Sequence, residues 1–584
     1  MINKISFENY KAFDNGEIKI KPITILLGAN SVGKSSIMQL FLMLQQTALT
    51  ENNYKSALKL HGGFVSMGEG LNLLRKKDKT KVLSISIDYY NSNIKSEFDD
   101  FFASFCQETL YYSSIVKKLS KDSEIAQQDN NIFKKIKNIF KTDDDFDIRF
   151  LRMDSDKIEE ILDKKTFVEL IEETSKRLEN QNLEKYPKEL RDDYFYFRHS
   201  HRRLGFPTNH LKNLSERKDE YLLTYDFLSG LKKSLKNAHF TVKYEIVAVE
   251  KNIVVKKMGI FNENIEILSV EFDTHPSSKY KLNSITSDFI SKERISSKTF
   301  QSLKGIFENP RTIFSFTNPR NDFEREKESN SIFSNIVQSI FHIVNHQTSD
   351  YFENDNINYV SPLRAHPKRY YFLDKAKINA YVDTLDGDAI AETLKENSHL
   401  RNQVNSWLEK FNLKVEVSQL QDIIHKLVVN QNSLNLDITD VGFGISQVLP
   451  VIIQGFLSHK DSLTLIEQPE IHLHPKMQAD LADLFIDIVI TKNHKNEQKG
   501  SKYLLIETHS EYLLKRLRRR ISEGTISPEN VAIYLINPQK NEEGGVITEL
   551  KIEGKGKFEW PMDFYGGELL LDTTEFLKNQ VNEQ

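Results

Sequence analysis

Four short strings in this chain have the residue types and spacing to handle a nucleoside triphosphate. Gly28-Ala29-Asn30-Ser31-Val32-Gly33-Lys34-Ser35 fits G-x-x-x-x-G-K-S and is followed by Ser36. Glycines at 28 and 33 let backbone N–H groups curl around phosphate oxygens at a helix N-terminus, and Asn30, Ser31 and Ser36 complete the candidate contacts. Lys34 offers a point charge to the β- and γ-phosphates, and Ser35 offers a hydroxyl to Mg²⁺. The second string, Ser462 to Glu470, carries an apolar strand into Glu467-Gln468-Pro469-Glu470. A carboxylate at the carboxyl end of such a strand is the second metal-organising element of these NTPases, so Glu467 joins Ser35 as a candidate Mg²⁺ ligand. Leu504 to Ser510 repeats that logic and ends on Thr508-His509-Ser510. Beside the first two strings, His509 reads as a sensor of the γ-phosphate. The fourth string, Asp440 to Gln447, places Gly442, Gly444, Ser446 and Gln447 at the start of the apolar helix Val448 to Leu457, a setting suited to an anion.

Positioning these groups takes a particular set of elements. Ile23 to Leu27 is a continuous apolar run, as expected for a strand buried on both faces. It feeds the glycine loop, and Ile37, Met38, Leu40, Phe41 and Leu44 then follow helical spacing. Lys4 to Phe7 and Ile18 to Ile20 alternate as strands, with a turn expected at Gly16. Later come the stretch Ile357 to Arg364 and the strands Ser462 to Ile466, Lys502 to Ile506 and Val531 to Ile536, alternating with helices. That alternation implies a parallel sheet with its ligands at the strands' carboxyl ends. Between them, Lys157 to Leu178 and Leu222 to Leu235 have helical spacing, with strand-like interruptions at Phe240 to Val255 and Ile265 to Phe272. The expected fold is α/β, a head split by a long, mostly helical insertion, with a small C-terminal domain. The divisions expected are 1–94 (phosphate-loop lobe), 95–350 (insertion), 351–540 (second lobe) and 541–584 (C-terminal domain).

Composition narrows the functional classes. The 584 residues are 39% hydrophobic and 28% charged, with 79 basic and 83 acidic residues for a net charge of −4. That describes a soluble chain with ample core material. No apolar stretch approaches the roughly 18 to 20 residues a membrane span needs, and the residues after Met1 lack a secretory pattern. Cys106 is the single cysteine, so neither an intramolecular disulfide nor a cysteine-built zinc site is expected. The expected location is cytoplasmic, without a membrane partner. A chain-wide basic footprint for nucleic acid is absent. Three local patches stand out: Tyr194 to Arg203, whose Arg198, Arg202 and Arg203 are interleaved with aromatics, Lys134 to Lys137, and Lys515 to Arg520. The acidic cluster Asp143-Asp144-Asp145 with Asp147 reads as a solvated loop.

The order of glycine loop, insertion, glycine/serine helix start, acidic strand and Thr-His-Ser resembles an ABC-type ATPase of the RecF/SMC/OLD-like group. The strings Gly442 to Pro450, Glu467 to Pro475 and Glu507 to Glu511 are most similar to Septu-type anti-phage ATPases, including the retron-linked PtuA proteins. The tail, Lys557 to Pro561 with Gly566-Gly567-Glu568, resembles the small domain that ends many of them. The resemblance covers residues 1–90 and 355–575. It implies ATP and Mg²⁺ as cofactors, Lys34 and Ser35 on phosphate and metal, Gly442–Gln447 as the signature segment, and Lys11 near the base or ribose. It also implies an ATP-sandwich homodimer or larger assembly, and an HNH-type nuclease partner, with a reverse transcriptase and its RNA–DNA product in the retron form.

Three departures from that pattern bear on mechanism. Glu467 stands where the metal-organising Asp is usual, and Gln468 stands where the catalytic Glu is usual. A glutamine orients water but cannot accept its proton, so base help is lost unless a neighbour such as Glu470 supplies it. The signature serine aligns with Gly442, leaving Ser446 displaced. The expectation is firm ATP binding and slow hydrolysis. No nuclease constellation is apparent in the chain, so the nuclease is expected on a partner. The alternative is a DNA-repair or chromosome-associated ATPase of RecF/SMC-like type that acts on DNA directly.

Overall fold

A computed structural model of the chain describes residues 2–50, 56–119, 162–179, 214, 217–249, 252–273, 281–307, 312–315, 331–353, 355–364, 367–372, 387–421, 424–431, 434–490, 501–538, 544–557, 574, 575, 578 and 580. The chain forms two compact units, one of Met1–Thr50, Lys59–Ile87 and Asp350–Gln584, the other of Glu51–Leu58 and Asp88–Ser349.

The first unit opens with β1 (Ile2–Tyr10) and β2 (Phe13–Lys19), an antiparallel hairpin with Phe7 opposite Gly16 and Tyr10 opposite Phe13. The turn therefore falls at Lys11-Ala12. Gly16, expected at a turn, lies within β2, where the ring of Phe7 fills the space a side chain would take. Then come β3 (Ile23–Gly28), buried throughout, α1 (Lys34–Ala48), and β4 (Leu83–Tyr90), which neighbours β1.

The second unit carries the helices α2 (Ser92–Leu119), α3 (Lys164–Glu179) and α4 (Lys218–Ser234), then the antiparallel strands β5 (His239–Val249), β6 (Asn252–Asn262), β7 (Ile265–Asp273) and β8 (Lys281–Thr286), then α5 (Ser297–Ile306) and α6 (Ile332–Glu353). Its helices pack through aromatics: the rings of Phe167 and Tyr225 stack at 4.5 Å, with Phe102 and Phe105 against them. The buried Glu220 carboxylate is satisfied by Thr299 Oγ1 (3.0 Å), Ser331 Oγ (2.7 Å) and the Phe333 N–H (3.1 Å). A buried charge persists only with such partners.

The first unit resumes with β9 (Ile357–Val360), β10 (Tyr371–Phe372), α7 (Gly387–Glu396), α8 (Ser398–Leu408), β11 (Leu413–Gln421), β12 (Ile424–Gln431), β13 (Leu434–Asp437), α9 (Phe443–Leu457), β14 (Leu463–Glu467), α10 (Pro475–Val489), β15 (Tyr503–Glu507), α11 (Glu511–Ser522), β16 (Val531–Pro538) and β17 (Gly545–Glu549). Six strands form one sheet in the order β17-β16-β3-β15-β14-β9, parallel except for β17. The order places β15 between the phosphate-loop strand and the acidic strand. Ile25, Leu27, Ile466, Leu504, Ile506 and Ile533 of this sheet pack against Leu449, Ile452, Leu481 and Leu513 of the helices. Each such burial contributes roughly 1.5–3 kcal/mol. Lys502 closes the end of α9, donating to the carbonyls of Phe456 (2.7 Å) and Gly455 (3.3 Å), and burial pushes its ammonium down to about 8. The structure is thus an α/β head split by a largely helical insertion that also carries the four antiparallel strands β5 to β8.

Candidate functional site

The site begins where β3 stops being apolar. Gly28 has φ +149°, and a side chain there would strike the carbonyl of Ile536; Gly33 has φ +108°, and a β-carbon there would come within 2.7 Å of the Phe13 ring. Only glycine fits both conditions at either position. Gly33 caps α1, so Lys34, Ser35 and Ser36 form its first turn. Asn30 and Ser31 are exposed on the loop, Ser31 with φ +64°. Ser36 is fixed by its N–H to the Gly33 carbonyl (3.0 Å) and by the Tyr10 hydroxyl on its own carbonyl (2.9 Å).

Lys34 is 3% exposed. Its Nζ donates to the carbonyls of Ala29 (2.7 Å) and Gly28 (3.0 Å) and lies 3.9 Å from Glu507 Oε1. Burial pushes the ammonium down, and the charges of Glu507 and Glu470 oppose that. Ser35 Oγ donates to Glu507 Oε2 at 3.0 Å. Lys11, with φ +48°, projects from the β1–β2 turn to Gln39 Oε1 at 2.6 Å, one helical turn after Ser35, and burial lowers its pKa. The structure therefore brings Lys11 to the phosphate-loop helix.

The strands β14 and β15 run parallel with Glu467 beside Glu507. Glu467 Oε1 accepts the Tyr359 hydroxyl at 2.9 Å. Burial, and then repulsion from Glu507, pushes the Glu467 carboxyl up to about 7. Burial also raises Glu507, opposed by Lys34 and Ser35. Gln468 has φ +44°, and its N–H donates to the Glu507 carbonyl (2.8 Å), which ties the turn after β14 to β15. Glu470, half-buried, uses both oxygens: Oε2 accepts from Thr508 Oγ1 (2.8 Å) and Oε1 from the His509 N–H (2.7 Å). His509 is thereby held at the end of β15, its imidazole pKa lowered by burial and by the nearby Lys34 charge.

Gly442 caps α9, and Gly444, Ser446 and Gln447 lie in its first turns. This segment connects to β14 through Arg364. The buried guanidinium donates from Nη1 to the Gln447 carbonyl (3.2 Å) and from Nη2 to those of Glu467 (2.9 Å) and Gln468 (3.3 Å). Burial lowers its pKa to about 10.

Sequence reasoning missed Glu507, Tyr359 and Arg364. Glu507 had a signal, since it ends an apolar strand as Glu467 does. The other two lie in a stretch read only as core, and nothing local marks their roles. Of the basic patches, Lys515 to Arg520 is largely engaged: Arg516 pairs with Asp480 and Asp483, Arg520 with Asp483 and Glu523, Arg519 with Glu523 and Lys515 with Glu511. Arg198, Arg202, Arg203, Lys134 to Lys137, the acidic cluster at 143–147 and most of the tail lie outside the described residues. Among the described residues no group of three or more His, Cys, Asp or Glu is arranged to hold a metal alone, and no helix is long and apolar enough to cross a membrane.

With the phosphate loop, its lysine and the strand-end carboxylates in one place, the family comparison becomes decisive: the model described as "AAA ATPase domain" matches residues 1–514. The chain belongs to this ATPase family. No curated protein matches it in sequence. Among solved structures it is similar to an SMC head bound to the C-terminal winged-helix domain of ScpA (9% identity, TM-score 0.33, covering 94% of this chain and 98% of that one). It is likewise similar to the SMC head domain from Thermotoga maritima (5% identity, TM-score 0.30, covering 94% and 99%).

Proposed function

We propose that this ATPase is an ATP-operated switch that binds Mg–ATP firmly, hydrolyses it slowly and signals occupancy to a partner chain. The observation that carries this reading is the end of β14. Gln468 occupies the turn there, and the nearest alternative base, Glu470, has both oxygens committed to Thr508 and His509. Water can be oriented there, but the Gln468 amide cannot take its proton, and an amide at this position forgoes the roughly 10²–10⁴-fold that general-base help supplies.

The donor set suits Mg²⁺, a hard cation that takes one or two carboxylates and completes its shell with phosphate oxygens and water. Ser35, with Glu467, would hold it, and the metal would neutralise charge on the β- and γ-phosphates. Lys34 binds the phosphates, His509 contacts the γ-phosphate from β15, and Lys11 reaches the nucleotide from the β1–β2 turn. The Gly442–Gln447 segment, coupled to β14 through Arg364, presents its helix start to the nucleotide of a second copy in an ABC-type dimer.

Because its strings at 442–450, 467–475 and 507–511 resemble Septu-type and retron-linked ATPases, the partner we assign is an HNH-type nuclease in an anti-phage complex, with a reverse transcriptase and its RNA–DNA product in a retron setting. The alternative is a RecF/SMC-like ATPase that acts on DNA directly; the ion pairs that engage the 515–520 run bear on that patch alone. Two measurements test the proposal. Steady-state ATP turnover is expected below about 1 s⁻¹, and a rate near the enzyme median of about 10 s⁻¹ contradicts it. Affinity capture of the native chain from its own operon is expected to recover an HNH nuclease; recovery of chromosomal DNA with repair proteins alone contradicts the assigned partner.

A further inference from the structure

The carboxylate that touches the phosphate loop is not the one at the end of the acidic strand. Glu467 is engaged by Tyr359, at 2.9 Å, whereas the hydroxyl of Ser35 donates to Glu507 on the neighbouring strand, at 3.0 Å. Glu507 also faces Lys34 Nζ at 3.9 Å and is 3% exposed. A serine hydroxyl has one proton and two lone pairs. When a fixed carboxylate accepts its hydrogen bond, the lone pairs point the other way, and the oxygen is set as a ligand for a cation rather than as a donor to phosphate. Groups that orient a metal's ligands in this way typically contribute 10- to 100-fold to metal affinity.

We infer that Glu507 is the positioning residue of the Mg–ATP site: it accepts the hydrogen bond of the Ser35 hydroxyl and thereby fixes the Ser35 oxygen as a metal ligand. This rests on the proposed nucleotide role of the same site. The backbone geometry supports a fixed carboxylate. Glu507 is the last residue of β15, its carbonyl accepts the Gln468 N–H at 2.8 Å, and β15 is paired on one side with β3 and on the other with β14. Ser35 lies in the first turn of α1, directly after the loop that follows β3. The contact joins residues 472 positions apart, so it arises only in the assembled sheet.

The test is the ratio of ATP affinity with Mg²⁺ to that with EDTA, measured by calorimetry on the full chain. Glu507→Ala is expected to lower the ratio by about 10- to 100-fold. Ser35→Ala is expected to do the same, and the double variant no more than Ser35→Ala alone, since both act through one oxygen. Glu507→Gln keeps an acceptor but loses the charge, and is expected to lower the ratio about threefold or more, because hydrogen bonds to ionised acceptors are roughly twice as strong as neutral ones. That variant carries the test if Glu507→Ala does not fold. An unchanged ratio in the folded Glu507 variants, or a double variant whose loss is the product of the single losses, overturns the inference. Failure of the unaltered chain to bind ATP under either condition overturns instead the functional reading beneath it.

Discussion

The carboxyl ends of β14 and β15 make an instructive pair. They are neighbours in one parallel sheet, each is an apolar run ending in glutamate, and Glu467 lies beside Glu507 in register. Their surroundings differ. The end of β14 is held by groups from β9 and the residues just after it, with Tyr359 on the Glu467 carboxylate and Arg364 on the backbone carbonyls. The end of β15 faces the phosphate loop, with Ser35 and Lys34 against Glu507. Two strands with nearly the same pattern thus serve different tasks, because sheet order decides which of them lies next to β3. β14 anchors the turn that holds Gln468, and β15 supplies the contact to the nucleotide machinery.

That contrast can be broken from either side. The largest effect belongs to the β15 side: Lys34→Ala removes the charge proposed to bind the phosphates and is expected to weaken ATP binding on the order of 10³-fold, read by calorimetry. A loss under about tenfold would mean the loop is not the phosphate site. On the β14 side, Arg364→Ala leaves the carbonyls of Gln447, Glu467 and Gln468 without their donor. It is expected to cost about 2–4 kcal/mol of stability, read from urea denaturation. Arg364→Lys should recover little, since a single ammonium cannot span carbonyls that a planar fork reaches. Tyr359→Phe is the smaller lesion, about 1 kcal/mol, and should alter ATP affinity far less than Lys34→Ala.

The smallest effect sharpens the contrast by lying outside both strand ends. Burial alone would push the Asp483 carboxyl up, but hydrogen bonds and charge from Arg520 and Arg516 outweigh it and hold it below the usual range. A depressed carboxylate contributes stability above its unfolded pKa of about 3.9 and loses it as pH falls through the folded value. Melting temperature should therefore drop as pH is lowered below about 4. Asp483→Asn should flatten part of that drop, by the equivalent of roughly 1 kcal/mol or less for a partly exposed pair.

Much of this site was legible before folding. The phosphate loop announces itself through glycines at positions where the backbone takes positive φ, and the apolar runs at 23–27, 462–466 and 502–506 are strands of one parallel sheet. What stayed hidden depends on distance along the chain. Tyr359 meets Glu467 across 108 residues, and Ser35 meets Glu507 across 472, so neither pairing leaves a spacing to read. Glu470 was visible as a carboxylate two residues after Gln468, but its commitment to Thr508 and His509 depends on the β14–β15 pairing. The basic run on α11 shows the reverse problem. As a string it suggests phosphate contacts, and only the packing of α10 against α11 shows Asp480 and Asp483 meeting Arg516 and Arg520.

The central claim is that hydrolysis is slow because the turn after β14 carries an amide where a proton acceptor is needed. The most direct test is the single-turnover rate of ATP hydrolysis by the unaltered chain and by Gln468→Glu, measured side by side at saturating Mg–ATP. The account predicts a rate below about 1 s⁻¹ for the unaltered chain and a gain of about 10²-fold in the variant, within the range general-base catalysis supplies. A fast unaltered chain, or a Gln468→Glu variant that binds ATP normally and gains nothing, would contradict it.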